Sequence, residues 1–217
     1  MGSDSDRPDD AFERVLAGNT AYASSCTADK PSLWKTLAQG QSPDILWFGC
    51  GDSRVPETTI CGCEPGDMFV HRNIANLLVA SDPSSSAIID FAVGVVKVKK
   101  VIVCGHTSCG GAINSLHDKD LGPALNAWLT PLRELRKTHQ ADLDRIDDAD
   151  ARANRLAMLN VQMGLDTLRQ NPTVQKAIAE RGLTLHGLVF DIPSSTLKPV
   201  SDDAATTAPA ANAWQHR

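Results

Sequence analysis

Apolar residues in this chain fall into short runs separated by longer stretches in which polar and apolar positions alternate with helical period. Asp44 to Gly49 reads DILWFG, an apolar run bounded by Pro43 and Gly49, and predicts a buried strand. Asp67 to His71 (DMFVH), Lys100 to Gly105 (KVIVCG) and Leu183 to Ile192 (LTLHGLVFDI) predict three more strands. Pro83 to Lys97 starts with serines and then carries apolar residues all round, the pattern of a largely buried helix. Residues 108–117 predict a helix directly after the third strand. A polar helical region covers residues 121–170, interrupted at 139–148. Pro172 then occupies the first turn of another helix, which ends near Gly182. At the other end of the chain, Phe12, Val15, Leu16 and Ala23 recur near helical spacing around Asp9 to Tyr22. The acidic residues before them suit a helix start.

Strands alternating with helices predict an α/β fold with a mainly parallel central sheet flanked by helices. The 217 residues suffice for one compact domain with a sizeable core. Residues 1–8 are polar and read as a disordered N-terminus, 9–197 as the folded domain, and 198–217, rich in Ser, Thr, Ala and Pro, as a flexible tail. Charge narrows the partners. There are 21 basic against 26 acidic residues, net charge −5, and no basic patch, which argues against nucleic acid. The apolar runs are too short for a membrane-spanning helix. Met1 to Asp10 is acidic and lacks the apolar segment of a secretory signal, so a reducing, cytoplasmic location is expected. In that setting the six cysteines read as ligands, nucleophiles or small core residues rather than disulfides.

Ligands in such folds gather beyond the carboxyl ends of the strands. Two such places carry chemistry here. One reads Cys50-Gly51-Asp52-Ser53-Arg54, after the first strand. The other reads Gly105-His106-Thr107-Ser108-Cys109-Gly110-Gly111, after the third. Two thiolates and an imidazole suit zinc, and a Cys2His set leaves the fourth position open, as in catalytic sites. A lone H-x-x-C is more often structural; two motifs at two strand ends of one small domain shift the balance. A carboxylate such as Asp52 beside zinc can be a fourth ligand or can accept a proton from bound water. Arg54 can fork onto that carboxylate and hold it ionised, although alone the pair would read as a surface ion pair.

Cys50-Gly51-Asp52-Ser53-Arg54-Val55-Pro56-Glu57 together with His106-Thr107-Ser108-Cys109-Gly110-Gly111 resembles the β-class carbonic anhydrases. Glu64 to Asn76, Gly40 to Pro43, Ala87 to Val93 and Leu185 to Asp191 support the resemblance, which covers about 12–195. It implies reversible hydration of carbon dioxide to bicarbonate and a proton by attack of zinc-bound hydroxide, with one Zn2+ per chain held by Cys50, His106 and Cys109. Asp52, held by Arg54, would accept the hydrogen bond of the zinc-bound water or hydroxide. Gln41 would hydrogen-bond carbon dioxide or bicarbonate, the Gly111 amide would bind an oxygen, and Val55 and Phe69 would line the apolar pocket. The resemblance also implies four parallel strands with an added edge strand, and a homodimer, in some members doubled to a dimer of dimers. N-terminal helices would pack on the partner subunit, and the active site would lie near the subunit interface.

The chain departs from the family pattern at two places. Phe91 stands where plant-like members often have tyrosine. Trp47, Gly49 and Arg72 resemble members regulated by a second, noncatalytic bicarbonate site, but the tyrosine of that site is matched by Phe190. Among the remaining candidates, Cys61 and Cys63 read as structural, Cys104 as core and Trp128 as packing. His71, His117, His139, His186 and His216 have no ligand-like partner. Rival readings are a bicarbonate-responsive binding protein with Asp52 capping zinc, a related lyase such as one hydrolysing carbon disulfide, and a structural zinc domain. Gln41, Asp52 and Arg54 argue against the last.

Overall fold

The computed structural model describes residues 8–200 and divides into an N-terminal unit ending at Gln41 and a second unit beginning at Ser42. The N-terminal unit holds helices α1 (Ala11–Asp29) and α2 (Leu33–Leu37). The Asp10 carboxylate caps α1 by accepting the amides of Phe12 and Glu13 at 2.9 and 3.0 Å. The helix runs past its expected end at Tyr22, whose ring meets Trp34 edge-on at 6.2 Å. Its apolar residues face solvent: Phe12 is 69%, Val15 66% and Leu16 55% exposed.

The second unit is built on a five-stranded sheet of order β2-β1-β3-β4-β5. Its strands are β1 (Ile45–Cys50), β2 (Met68–Asn73), β3 (Lys100–His106), β4 (Thr184–Asp191) and β5 (Thr196–Pro199). The first four are mutually parallel and β5 returns antiparallel to β4. The helices are α3 (Glu57–Cys61), α4 (Pro83–Ile89), α5 (Gly110–Ser115), α6 (Pro123–Thr138), α7 (Gln140–Leu143), α8 (Ala149–Gln170) and α9 (Pro172–Arg181). Leu46 and Phe48 of β1 join Val101, Val103 and Val189 in a core completed by Val161, Leu165 and Leu168 of α8 and Val174 of α9. Trp47, between them, packs with Val55, Cys104 and Phe190 instead. With both faces of the central strands covered, the strand sequences are continuously apolar rather than alternating.

The predicted helix over Pro83 to Lys97 is a correction. Asp82 caps it and Pro83 opens it, but α-helical bonding stops at Ile89 and a wider π-type turn continues over Asp90–Val96. Phe91 and Val95 are exposed there rather than buried. The interruption expected at 139–148 holds α7 and the loop before α8, and α9 ends at Gly182, in the left-handed region at φ 70°. The expected tail boundary at 198 falls inside β5, and Val200 is buried. The chain turns back because Asp191 accepts bonds from the Ser194 hydroxyl and from Lys198 Nζ, the latter at 3.0 Å. Residues 1–7 and 201–217, the rest of both expected tails, lie outside the described residues.

Candidate metal centre

Parallel pairing places the carboxyl ends of β1 and β3 side by side, so the loops that follow them converge. Cys50 ends β1, His106 ends β3 and Cys109 caps the start of α5. All three are buried, and their ligand atoms lie within 4.8 Å of one another. Among the described residues this is the one cluster of His, Cys, Asp or Glu side chains fit to hold a metal ion.

The donor set fits a metal ion. His106 Nδ1 lies 2.9 Å from the Thr107 carbonyl, which can only accept, so Nδ1 carries the proton. That leaves the lone pair on Nε2, a fully buried atom with no hydrogen-bond partner. The two sulfurs are pushed toward opposite protonation states. The hydrogen bond with Cys109 holds the Cys50 thiol down to about 4 against its burial, and the same bond pushes Cys109 well up. Burial disfavours charge on His106, yet the nearby Cys50 sulfur outweighs it and leaves the imidazole above its ordinary value. A divalent cation held here would take both sulfurs as thiolates.

Asp52 lies beside the cluster, with Oδ2 3.9 Å from His106 Nε2. It is engaged by Arg54, whose Nε donates to Oδ1 at 2.9 Å and Nη2 to Oδ2 at 2.8 Å. This fork holds the Asp52 carboxyl well below the usual carboxylate range. Arg54 Nη2 also donates to the Ser108 carbonyl at 3.1 Å, tying the loop after β1 to the loop after β3. Ser108 is itself left-handed, at φ 55°, and its amide donates to Asn154 of α8 at 2.9 Å. From the neighbouring strand, Arg72 donates to the carbonyls of Cys50 and Asp52 at 2.8 and 2.6 Å and stands 3.6 Å from Glu57.

A cavity of about 250 Å³ opens onto Cys50 and Asp52. Ile74, Ala75, Leu121, Leu125 and Leu129 make its apolar side, and Gly110, Gly111 and Asn114 complete it. Of the residues the sequence proposed for substrate contact, Gly111 lines this cavity. Val55 does not: it is buried on the Trp47 side of the sheet. Nor does Phe69, whose ring packs on Phe91 at 5.7 Å. Gln41 is the last residue of the N-terminal unit. The sequence reading missed Ile74, Ala75, Asn114, Asn154 and the leucines of α6. Ile74 and Ala75 lie in a segment that matched the family without a role for either residue, and Asn154 and the leucines come from helices whose spacing carries no motif.

A family model described as carbonic anhydrase matches residues 45–197. One of the two tetrameric β-carbonic anhydrases solved from Sordaria macrospora superimposes with a TM-score of 0.86 at 47% identity, over 88% of this chain and 96% of that one. This chain belongs to the β-class carbonic anhydrases. The β-carbonic anhydrase CafA of Aspergillus fumigatus is similar to it with a TM-score of 0.87 at 49% identity, over 91% of this chain and 93% of that one. The carbonic anhydrase of Emericella nidulans is 41% identical over 192 residues, 88% of this chain and 84% of the relative. The α/β core expected from the family, with its added edge strand, is the one observed, and carbonic anhydrase activity follows from membership. No helix among the described residues is long and apolar enough to cross a membrane.

Proposed function

We propose that the metal is zinc, one ion per chain, and that the chain hydrates carbon dioxide reversibly to bicarbonate and a proton with zinc-activated hydroxide as nucleophile. The observation that carries this is the unpartnered Nε2 of His106 facing two cysteine sulfurs within 4.8 Å, at the mouth of an apolar cavity. Three protein ligands leave a fourth position open. Zinc held by these three residues would acidify a water in that position and so supply hydroxide near neutral pH.

The chain's own residues do the rest. Asp52, kept ionised by Arg54, accepts a hydrogen bond from the nucleophile and so aims its lone pair at the substrate. The leucines, Ile74 and Ala75 receive a nonpolar gas without competing for it by hydrogen bonds, and the Gly111 amide binds one of its oxygens. Gln41, Val55 and Phe69 are proposed as further substrate contacts, reached near a subunit interface. The exposed Phe12, Val15 and Leu16 of α1 support packing of that helix on a partner subunit in a homodimer or a dimer of dimers. We also propose a cytoplasmic location and, of the tail expected at 198–217, that the part beyond the buried Val200 is dispensable.

Exchange of labelled oxygen between carbon dioxide and water tests the reading. Wild-type protein should catalyse it, and Cys50→Ser, His106→Ala and Cys109→Ser should lose both the exchange and the zinc. Full exchange by the three variants would refute it.

A further inference from the structure

Strand β2 ends at Asn73, and the turn that follows is left-handed at two residues that are not glycine. Ala75 has φ 62° and Asn76 φ 46°, a conformation costly for alanine, though asparagine tolerates it better. Backbone strain of this kind persists where the surroundings over-determine it. Here four carbonyls of the segment are each held by a side chain. Trp128 Nε1 donates to Ile74 at 2.9 Å, Asn160 Nδ2 to Ala75 at 2.7 Å, Asn73 Nδ2 to Leu77 at 2.8 Å and Thr167 Oγ1 to Leu78 at 3.1 Å. Trp128 comes from α6, and Asn160 and Thr167 from α8. Asn160 is 2% exposed, an amide carried into the core among Leu156, Ala157 and Val161, where a polar group is costly without a bonding partner.

The turn delivers Ile74 and Ala75 to the cavity beside Cys50 and Asp52. The methyl of Ala75 fills the space that a side chain at position 111 would take. We propose that Trp128 and Asn160 are positioning residues for carbon dioxide: their N–H groups hold the left-handed turn so that Ile74 and Ala75 form a fixed apolar wall next to the Gly110–Gly111 backbone. Neither residue lines the cavity or belongs to the ligand set, so both act through the wall alone. The inference rests on this cavity being the carbon dioxide site.

Trp128→Phe keeps the ring and removes the N–H, and Asn160→Leu keeps the size and removes the donor. With zinc loading matched to wild type, stopped-flow hydration should show KM for carbon dioxide raised about three- to tenfold, the worth of one lost hydrogen bond. The kcat should stay within about twofold, because the nucleophile and its partners are untouched. Asn76→Gly, which makes left-handed backbone easy without altering the wall, should return the KM of either variant toward wild type. A merely structural role for the two residues would not produce that split or its rescue. Unchanged KM in a folded, zinc-loaded variant, or kcat lost in step with zinc, would overturn the inference. Wild-type protein without hydration activity would instead overturn the reading beneath it. Either variant decides alone if the other fails to fold.

Discussion

The contact between α5 and the left-handed turn can be tested by moving one methyl group across it. A Cβ built on Gly111 meets the Ala75 Cβ at 2.6 Å, the Ala75 Cα at 3.5 Å and Leu129 Cδ2 at 3.6 Å. The first distance lies far inside ordinary carbon contact, and Ala75 cannot retreat freely because its carbonyl is held by Asn160. Overpacking of this kind costs about 1–3 kcal/mol, so Gly111→Ala should lower Tm by about 2–12 °C for a chain of this length. Ala75→Gly loses about 0.8 kcal/mol of methyl burial and relieves a left-handed strain of roughly 1–2 kcal/mol. Its greater unfolded-state freedom takes back about 0.5–1 kcal/mol, so the net change is close to zero. In the double variant the methyl has changed sides and the clash is gone. The two substitutions should therefore couple favourably by about 1–3 kcal/mol. Urea unfolding of the four proteins at one protein concentration and saturating zinc measures this. Additivity within about 0.5 kcal/mol would show that the two backbones do not meet as described.

Asp52→Asn and Arg54→Ala should retain most of the zinc yet lose about 10–100-fold in hydration rate, as removal of a partner to the metal shell does; rates and metal content are read on the same samples. Bicarbonate should inhibit without cooperativity. Phe190 has no hydroxyl to offer a second bicarbonate, and Arg72 is already engaged by two carbonyls and Glu57; a sigmoidal inhibition curve would contradict this. Asp82→Ala removes the cap of α4 and should cost about 1 kcal/mol. Burial alone would raise the Asp82 carboxyl, but bonds from the Ser85 hydroxyl and the Ser84 and Ser85 amides hold it below its ordinary value. A depressed folded value means that this stabilisation is complete above the unfolded value of about 3.9 and is lost as pH falls below it. The urea midpoints of wild type and variant should thus converge as pH falls below about 4, and a constant gap would contradict the cap.

The parallel strands were legible because both of their faces are buried, which leaves uninterrupted apolar runs in the sequence. The ligand triad was legible because Cys50, His106 and Cys109 all lie at strand ends within two short motifs. What stayed hidden is what local pattern does not encode. Strand β5 follows Ser194 and Ser195 and looks like the start of a tail, and its return depends on bonds to Asp191. The left-handed turn at Ala75 and Asn76 contains no glycine to announce it, and its supports lie on α6 and α8, far along the chain. The wall of the cavity beside Cys50 comes from Ile74, Ala75, Leu121 and the leucines of α6, none of which the two ligand motifs contain.

X-ray absorption at the zinc edge, on purified wild-type protein near pH 7.5, tests the central proposal most directly. Zinc held by Cys50, His106 and Cys109 with an open fourth position requires two sulfur scatterers at about 2.3 Å and two nitrogen or oxygen scatterers at about 2.0–2.1 Å. A shell of four sulfurs, or of nitrogen and oxygen alone, would contradict it.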